Sequence, residues 1–557
     1  MDLRKLSDDV SVAPQILPEE ISAIAALGFR SILCNRPNNE DPGQPDFQEL
    51  AAAAQDAGLD FRHIPVAGRT IDDGDAMAYR AALAEMPGPV LAYCRSGTRS
   101  TYLWSMAVAD KMPVPEIMMA ARAAGYDVSP LARRLANGGK TPSEETDAIF
   151  DVVIVGGGSA GIAVAASLKK RTPSLNIAII DPANVHYYQP GWTMVGAGIF
   201  DAQTTAKTMG SVVPKGVHWL NCRVVGFEPQ HNIIVTEDAR TVQYSRLVIC
   251  PGLQLDWGKI DGLVDTLGKN GVTSNYRYDL APYTWDLVRD MKKGRALFTQ
   301  PPYPFKCPGA PQKALYMSAD IWRRGGVLGD IDIGFMNAGN VLFSVKDYVP
   351  ALEEYIARYG VDVQYRTNLV AVDGDTKTAT FDVSVKGQKP TQISVEFDMM
   401  HVTPPQSAPD FIKVSPFVDK TGWINVDHAT LRLEGFENIW ALGDVINAPC
   451  AKTAAAAWAQ APVVAQNLVD DIASKSPKSM YTGYGSCPLT VERGKVVLAE
   501  FGYGGVLQPR FPTWVLDGTR PTRKAWFLKE QLLPGIYWSA MLRGKEWLAK
   551  PEKPARK

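Results

Sequence analysis

The stretch FDVVIVGGGSAGIAVAASL (150–168) decides the fold. DVVIV is an apolar run of strand length, AGIAVAASL is a small-residue helical pattern, and the four residues GGGS lie between them. Gly156, Gly158 and Gly161 satisfy GxGxxG, with Ser159 and Ala160 inside the turn. A lone GxGxxG is weak evidence, but this one follows a strand and opens a helix, which is the context the motif needs. The glycines let the backbone approach a pyrophosphate, whose charge then meets the helix N-terminus. The next apolar run, NIAIID, ends on Asp181, twenty residues beyond Gly161, where a carboxylate accepts from a ribose hydroxyl. A strand–helix–strand unit of this kind predicts a parallel sheet and an α/β fold.

Upstream, 557 residues leave room for a separate unit. Helical patterns at 18–28, 46–57 and 73–86 alternate with strands RSILCN (30–35), DFRHIPV (60–66) and PVLAYC (89–94). Further helices reach about Leu135, and a polar linker follows at 137–149. The predicted organisation is α/β throughout: a small domain over 1–136, a tandem Rossmann (two-dinucleotide-binding) body over 150–480, and a C-terminal region over 481–557.

Composition narrows the function classes. Hydrophobic residues make up 46% and the net charge is -1, so no whole-chain field favours nucleic acid. MDLRKLSDDV shows no secretory signal, and no apolar run is long enough for a spanning helix. The seven cysteines are scattered, without CxxC pairs or metal spacing, which argues against zinc and against a disulfide scaffold.

Downstream, IWALGDV carries Gly443-Asp444 between a strand and a helix, a pair that holds the ribityl chain in flavoproteins of this build. The helix after it starts near Lys452 and Thr453, and its positive end stabilises charge on a reduced flavin. Gly252, in LVICPG, closes the first half, and Cys250 beside it reads as packing. A nicotinamide site would need a second GxGxxG between about 294 and 345, and none is present. FAD is therefore favoured over NAD(P). Cys307, in PFKCPGAPQKALYM, sits in a Pro/Gly turn before a helix, flanked by Lys306 and Lys313. That setting favours thiolate, although a small buried core thiol reads equally well from this segment alone.

The segments VHYYQPGWTMVGAG (185–198), SNYRYD (274–279), KCPGAPQKALYM (306–317), HVTPPQSAPD (401–410), AKTAAAA (451–457), SCPLT (486–490) and YWSAMLRG (537–544) resemble the mitochondrial-type sulfide:quinone oxidoreductases. The resemblance implies a flavoprotein that oxidises hydrogen sulfide through two redox cysteines and FAD and reduces quinone, with a small thiol such as glutathione taking the sulfane sulfur. Cys307 matches one redox cysteine. Relatives carry the other directly after Gly-Asp, where this chain has Val445; Cys450, five residues on, is the expected partner, the alternative being that Cys450 is incidental and Cys307 works with a different thiol, and Cys222 and Cys487 read as structural. The alternatives are a FAD-dependent NADH:quinone oxidoreductase and a sulfide- or persulfide-sensing binding protein.

Residues 519–557 carry ten Lys/Arg against three Asp/Glu, together with many aromatics. They are expected to form two amphipathic helices, broken at Pro534-Gly535, that dock on a membrane surface. The expected location is the cytoplasmic face of a bacterial inner (plasma) membrane, and a homo-oligomer is compatible with the sequence. In the first domain, AYCRSGTRS places Cys94 between a strand and a helix, with Arg95 and Arg99 adding charge for an anion cradle. Tyrosine phosphatases need Cys-x5-Arg, and here Ser100 stands at that arginine's position. The shorter loop resembles rhodaneses, and the unit resembles phosphatase-like domains labelled sulfurtransferases, which implies sulfur transfer through Cys94. A non-catalytic module is the other reading.

Overall fold

The computed structural model describes residues 1–67, 71–142, 148–385 and 387–551. The expected linker therefore lies partly outside the described residues, as do the last basic residues of the chain. Two compact units result: 1–150 with 222–245 and 410–418, and the remainder.

The first unit is built on five strands in the order Arg4–Lys5, Val10–Ala13, Val90–Tyr93, Ser31–Cys34, Asp60–His63, parallel except for the first pair. Strand alternation sorts its core into two layers. Ile32, Cys34, Leu91 and Tyr93 pack with Ile21, Ile24, Leu50 and Ala54, while Leu33, Val90 and Ala92 pack with Tyr79, Leu103, Trp104 and Ile117. The first two strands are absent from the sequence reading because Arg4–Lys5 is too short, and Val10–Ala13 too weakly bounded, to show a period.

Two further sheets, one mixed and one wholly parallel, make up the tandem Rossmann body. One orders Val217–Leu220, Ile177–Ile180, Ala148–Val155 and Thr241–Ile249, with Ile439–Ala441 pairing in parallel with the end of the last. The other orders Val272–Thr273, Met399–His401, Gly294–Gln300, Ile331–Asn337 and Asp362–Tyr365. Helix Ser159–Arg171 is buried continuously from Ala160 to Leu168, which explains its alanines and its lack of a polar face.

Two features correct the sequence expectation. Residues 485–501 form an antiparallel hairpin, Gly485–Glu492 with Lys495–Phe501. The C-terminal stretch is not broken at Pro534-Gly535: α-helical Arg523–Phe527 runs through a π turn, Leu528–Leu532, into Leu533–Ser539. Pro534 falls in the first turn of that last segment, where its missing N–H costs little, and the π turn absorbs the misfit. No described helix is long and apolar enough to cross a membrane.

Candidate active site

One cavity of the second unit collects most of the predicted residues. Gly158, Ser159, Ala160, Gly252, Cys307, Gly443, Asp444, Lys452 and Thr453 all line it. The glycines are there for steric reasons. Gly156 has φ +106°, and a Cβ on Gly161 would lie 1.9 Å from the Gly156 carbonyl oxygen. Nothing within 4 Å faces a Cβ at Gly158, so the loop is open on the cavity side. A tight turn with an open face at a helix start fits a pyrophosphate. Asp181 Oδ2 accepts from Gly157 N at 2.6 Å and Oδ1 from Ala183 N at 2.7 Å, so its carboxylate braces the loop.

The opposite wall comes from the turn that holds Gly443-Asp444. Lys452 Nζ donates to the Asp444 and Ile446 carbonyl oxygens at 2.6 and 2.9 Å and lies 4.0 Å from the Trp423 ring centroid. Thr453 caps helix Ala454–Ile472 by accepting from Ala456 N at 3.2 Å. Thr453, Ala454 and Ala455 thus present the positive end of a nineteen-residue helix to the cavity.

The loop after strand Gly294–Gln300 stands where a second nucleotide loop would stand. It carries Cys307 instead, just before helix Ala310–Arg324. Cys307 adopts φ +49°, an unusual conformation for a side chain with a Cβ, pinned by Cys307 N donating to Lys452 O at 2.8 Å and Ala310 N donating to Cys307 O at 2.7 Å. Its sulfur lies 3.7 Å from Cys487 Sγ and accepts from Lys313 Nζ at 3.1 Å. Donation from the Cys487 S–H, and the charge of Lys313, hold the Cys307 thiol well below its usual range. Contact with that thiolate, together with burial, pushes Cys487 well above it. Lys529, on the π turn, is pushed down to about 7 by burial and by Lys313.

The sequence reading paired Cys307 with Cys450. The structure brings Cys307 to Cys487 instead. Cys450 Sγ accepts from Gln460 Nε2 at 3.6 Å, its thiol is pushed up by burial, and it is not among the residues lining the cavity. From the sequence Cys487 was legible only as part of SCPLT and read as structural. Gly309 makes the contact possible, since a Cβ there would stand 2.7 Å from Cys487 Sγ. A second contact the sequence did not reveal ties the C-terminal helix to the glycine loop. Tyr537 Oη lies 2.6 Å from both Ser159 Oγ and His186 Nε2, and His186 Nδ1 lies 3.1 Å from Gly157 O. Cys250 Sγ donates to Gly156 O at 3.6 Å, and Cys250 also lines the cavity.

In the first unit, Cys94 follows strand Val90–Tyr93 and is buried, with Gly97 N donating to its sulfur at 3.1 Å. Gly97 has φ +88° and starts helix Thr98–Ala107. Arg99 donates to Val66 O and Glu40 Oε2 at 2.6 and 2.7 Å, and Arg95 pairs with Asp41 at 3.0 Å. The two arginines thus flank the loop as expected, but each is matched by a carboxylate from the segment after Cys34, which also binds Arg36.

Comparison with known proteins agrees with both halves. Residues 2–111 match the phosphatase-like domain of beta-lactamase hydrolase-like protein. Residues 150–284 match the pyridine nucleotide-disulphide oxidoreductases. The chain is 39% identical over 405 residues to the mitochondrial sulfide:quinone oxidoreductase of Dictyostelium discoideum, covering 72% of this chain and 88% of that one. It is 38% identical over 396 residues to the mitochondrial enzyme of Mus musculus, covering 71% and 87%. The fold is shared with the sulfide:quinone oxidoreductase structure from Aquifex aeolicus, at TM-score 0.59 and 18% identity over 71% of this chain and 91% of that one. The expected bacterial plasma-membrane location is corrected by these findings, because the relatives of high coverage are mitochondrial proteins of eukaryotes.

Proposed function

The chain belongs to the sulfide:quinone oxidoreductases, which oxidise sulfide with quinone as electron acceptor, and on that premise we propose which of its residues do the work. Membership implies a flavin-type cofactor. We infer FAD, because the open glycine turn and Asp181 fit a dinucleotide and the Gly443-Asp444 turn fits its ribityl chain. When bound, FAD supplies a two-electron acceptor that hands electrons on to quinone.

The observation that carries the assignment is the 3.7 Å contact between Cys307 and Cys487, with Lys313 on Cys307. The pair cycles between dithiol and disulfide. Hydrosulfide attacks the Cys487 sulfur, a new S–S bond forms there, and the Cys307–Cys487 bond breaks. Cys487 is left as persulfide and Cys307 as a thiolate that Lys313 holds. A small thiol such as glutathione then takes the outer sulfur and leaves Cys487 as thiol. Loss of two electrons and the thiol proton from the pair rebuilds the disulfide.

Two further roles belong to this reading. Cys94, cradled by the Gly97 amide, accepts sulfane sulfur and passes it to a thiol. Exposed Phe527 and Leu532, beside Arg523 and Lys524, suit a membrane interface from which a lipid quinone enters the cavity's apolar end.

The test is anaerobic addition of sulfide to the purified flavoprotein. Bleaching with a long-wavelength charge-transfer band is expected in wild type and in Cys450→Ser, and loss of it in Cys307→Ser and Cys487→Ser. Loss in Cys450→Ser with retention in Cys487→Ser would return the partnership to Cys450. Bleaching that survives Cys307→Ser would sink the assignment altogether.

A further inference from the structure

The cavity has a second end. Away from the glycine loop its wall is apolar, with Leu498, Phe511, Leu528, Leu533, Ile536 and Met541. Among the described lining residues, two carboxyls reach this cavity, Asp444 and Glu500. They are set up differently. Burial raises Asp444, but Lys452 and Lys306, two cations, oppose that by favouring its charged form. Glu500, on strand Lys495–Phe501, has no Lys or Arg side-chain nitrogen within ion-pair distance among the described residues and is only 5% exposed. Its Oε1 accepts from Tyr484 Oη at 2.6 Å and its Oε2 from Arg510 N at 3.3 Å. Arg510, half-buried, stacks its guanidinium 3.9 Å from the Tyr484 ring centroid, lines the cavity, and its charge favours the Glu500 carboxylate. Tyr348 also packs here, exchanging hydrogen bonds with the Glu500 backbone at 2.9 and 3.1 Å.

An isolated buried carboxyl is costly when charged and cheap when protonated. Burial raises Glu500 against the opposing hydrogen bonds from Tyr484 and the Arg510 amide and the charge of Arg510. Reduction of a quinone to a quinol consumes two electrons and two protons, so a quinone oxygen held in an apolar pocket needs a proton donor within reach.

We propose that Glu500, positioned by Tyr484, is the proton donor to quinone in this cavity. The Glu500 O–H bond breaks as a quinol O–H bond forms on the oxygen facing it. The other quinone oxygen takes its proton from solvent water. The Glu500 carboxylate then recovers a proton from solvent. The electrons are those that sulfide supplies in the established reaction. The inference rests on the reading that the apolar end of this cavity receives quinone.

The experiment separates the two halves of turnover in full-length protein carrying its flavin. Glu500→Gln keeps the volume and the acceptor for Tyr484 but holds no exchangeable carboxyl proton. Sulfide should bleach its flavin at the wild-type rate, while reoxidation by decylubiquinone slows by about a hundredfold or more, the low end of general acid catalysis. Reoxidation should also lose its dependence on one ionisation, the one attributable to Glu500 rather than to Tyr484, Tyr348 or Lys529. A protonated-carboxyl stretch in the infrared spectrum of the resting protein should vanish in Glu500→Gln. Tyr484→Phe should shift that band and the pH profile without removing either. Wild-type reoxidation and an unchanged infrared band in Glu500→Gln would overturn the inference. Equal slowing of both half-reactions would also overturn it, because that marks a packing defect. If decylubiquinone fails to reoxidise the wild-type protein, the underlying reading of the cavity fails instead.

Discussion

Replacing Lys313 with methionine removes the cation from Cys307 while nearly preserving side-chain volume, so it isolates the charge. Lys313 Nζ lies 3.1 Å from Cys307 Sγ. At an effective dielectric of about 20, unit charges about 3 Å apart attract by roughly 5 kcal/mol, an upper bound on what the thiolate loses. Lys529, which acts on the same sulfur, stays in place and becomes easier to protonate once Lys313 no longer repels it. The net expected change is a rise of about 1–3 pKa units in the Cys307 thiol. The assay is alkylation of Cys307 by iodoacetamide across pH, read by peptide mapping in the reduced protein. The wild-type midpoint should fall below that of an ordinary cysteine, and the Lys313→Met midpoint should move up. Near neutral pH the rate should then fall about tenfold for each unit that the midpoint lies above the assay pH. An unchanged midpoint in a folded Lys313→Met protein would refute the electrostatic account of the site.

Other expectations follow from the same geometry. Gly161→Ala puts a methyl group 1.9 Å from the Gly156 carbonyl oxygen; it should lose bound flavin and about 1–3 kcal/mol or more of stability, read by flavin content and chemical denaturation. His186 and His401 are buried and pushed down to about 4, so the unfolded chain binds more protons than the folded one between that value and the ordinary histidine range. Stability should therefore fall on acidification through that window, by about 2 kcal/mol per histidine at about pH 5, and urea midpoints that stay level there would contradict the burial argument. Cys94→Ser should abolish transfer of sulfane sulfur from thiosulfate or glutathione persulfide without altering sulfide-driven bleaching, and unchanged transfer rates would remove Cys94 from the account.

The tandem Rossmann body was legible because its signals are local. The glycine turn, the following strand and Asp181 occupy one short stretch, and Gly443-Asp444 precedes an alanine-rich helix whose register needs no tertiary information. The cysteine pairing was not legible, because proximity in sequence and proximity in space diverge at this site. Cys450 shares a loop with Lys452, whose carbonyl holds Cys307 N, yet its own sulfur turns to Gln460. Cys487, 180 residues after Cys307, reaches it through a hairpin to which the sequence reading assigned no element. Pro534 misled in a similar way: a proline predicts a break only where the helix cannot restart around it, and the π turn lets it restart. In the first unit the Cys94 loop was evident from its glycine and arginines, but the carboxylates that face those arginines come from a different βα connection.

The most direct test of the central claim is to map the cysteines by mass spectrometry after alkylation under anaerobic conditions, before and after sulfide. The predicted result is a Cys307–Cys487 cross-link in the resting protein. One equivalent of sulfide should open it, leaving one added sulfur on Cys487 and an alkylatable Cys307. A Cys307–Cys450 cross-link, or free alkylatable thiols at both Cys307 and Cys487 before sulfide is added, would contradict it.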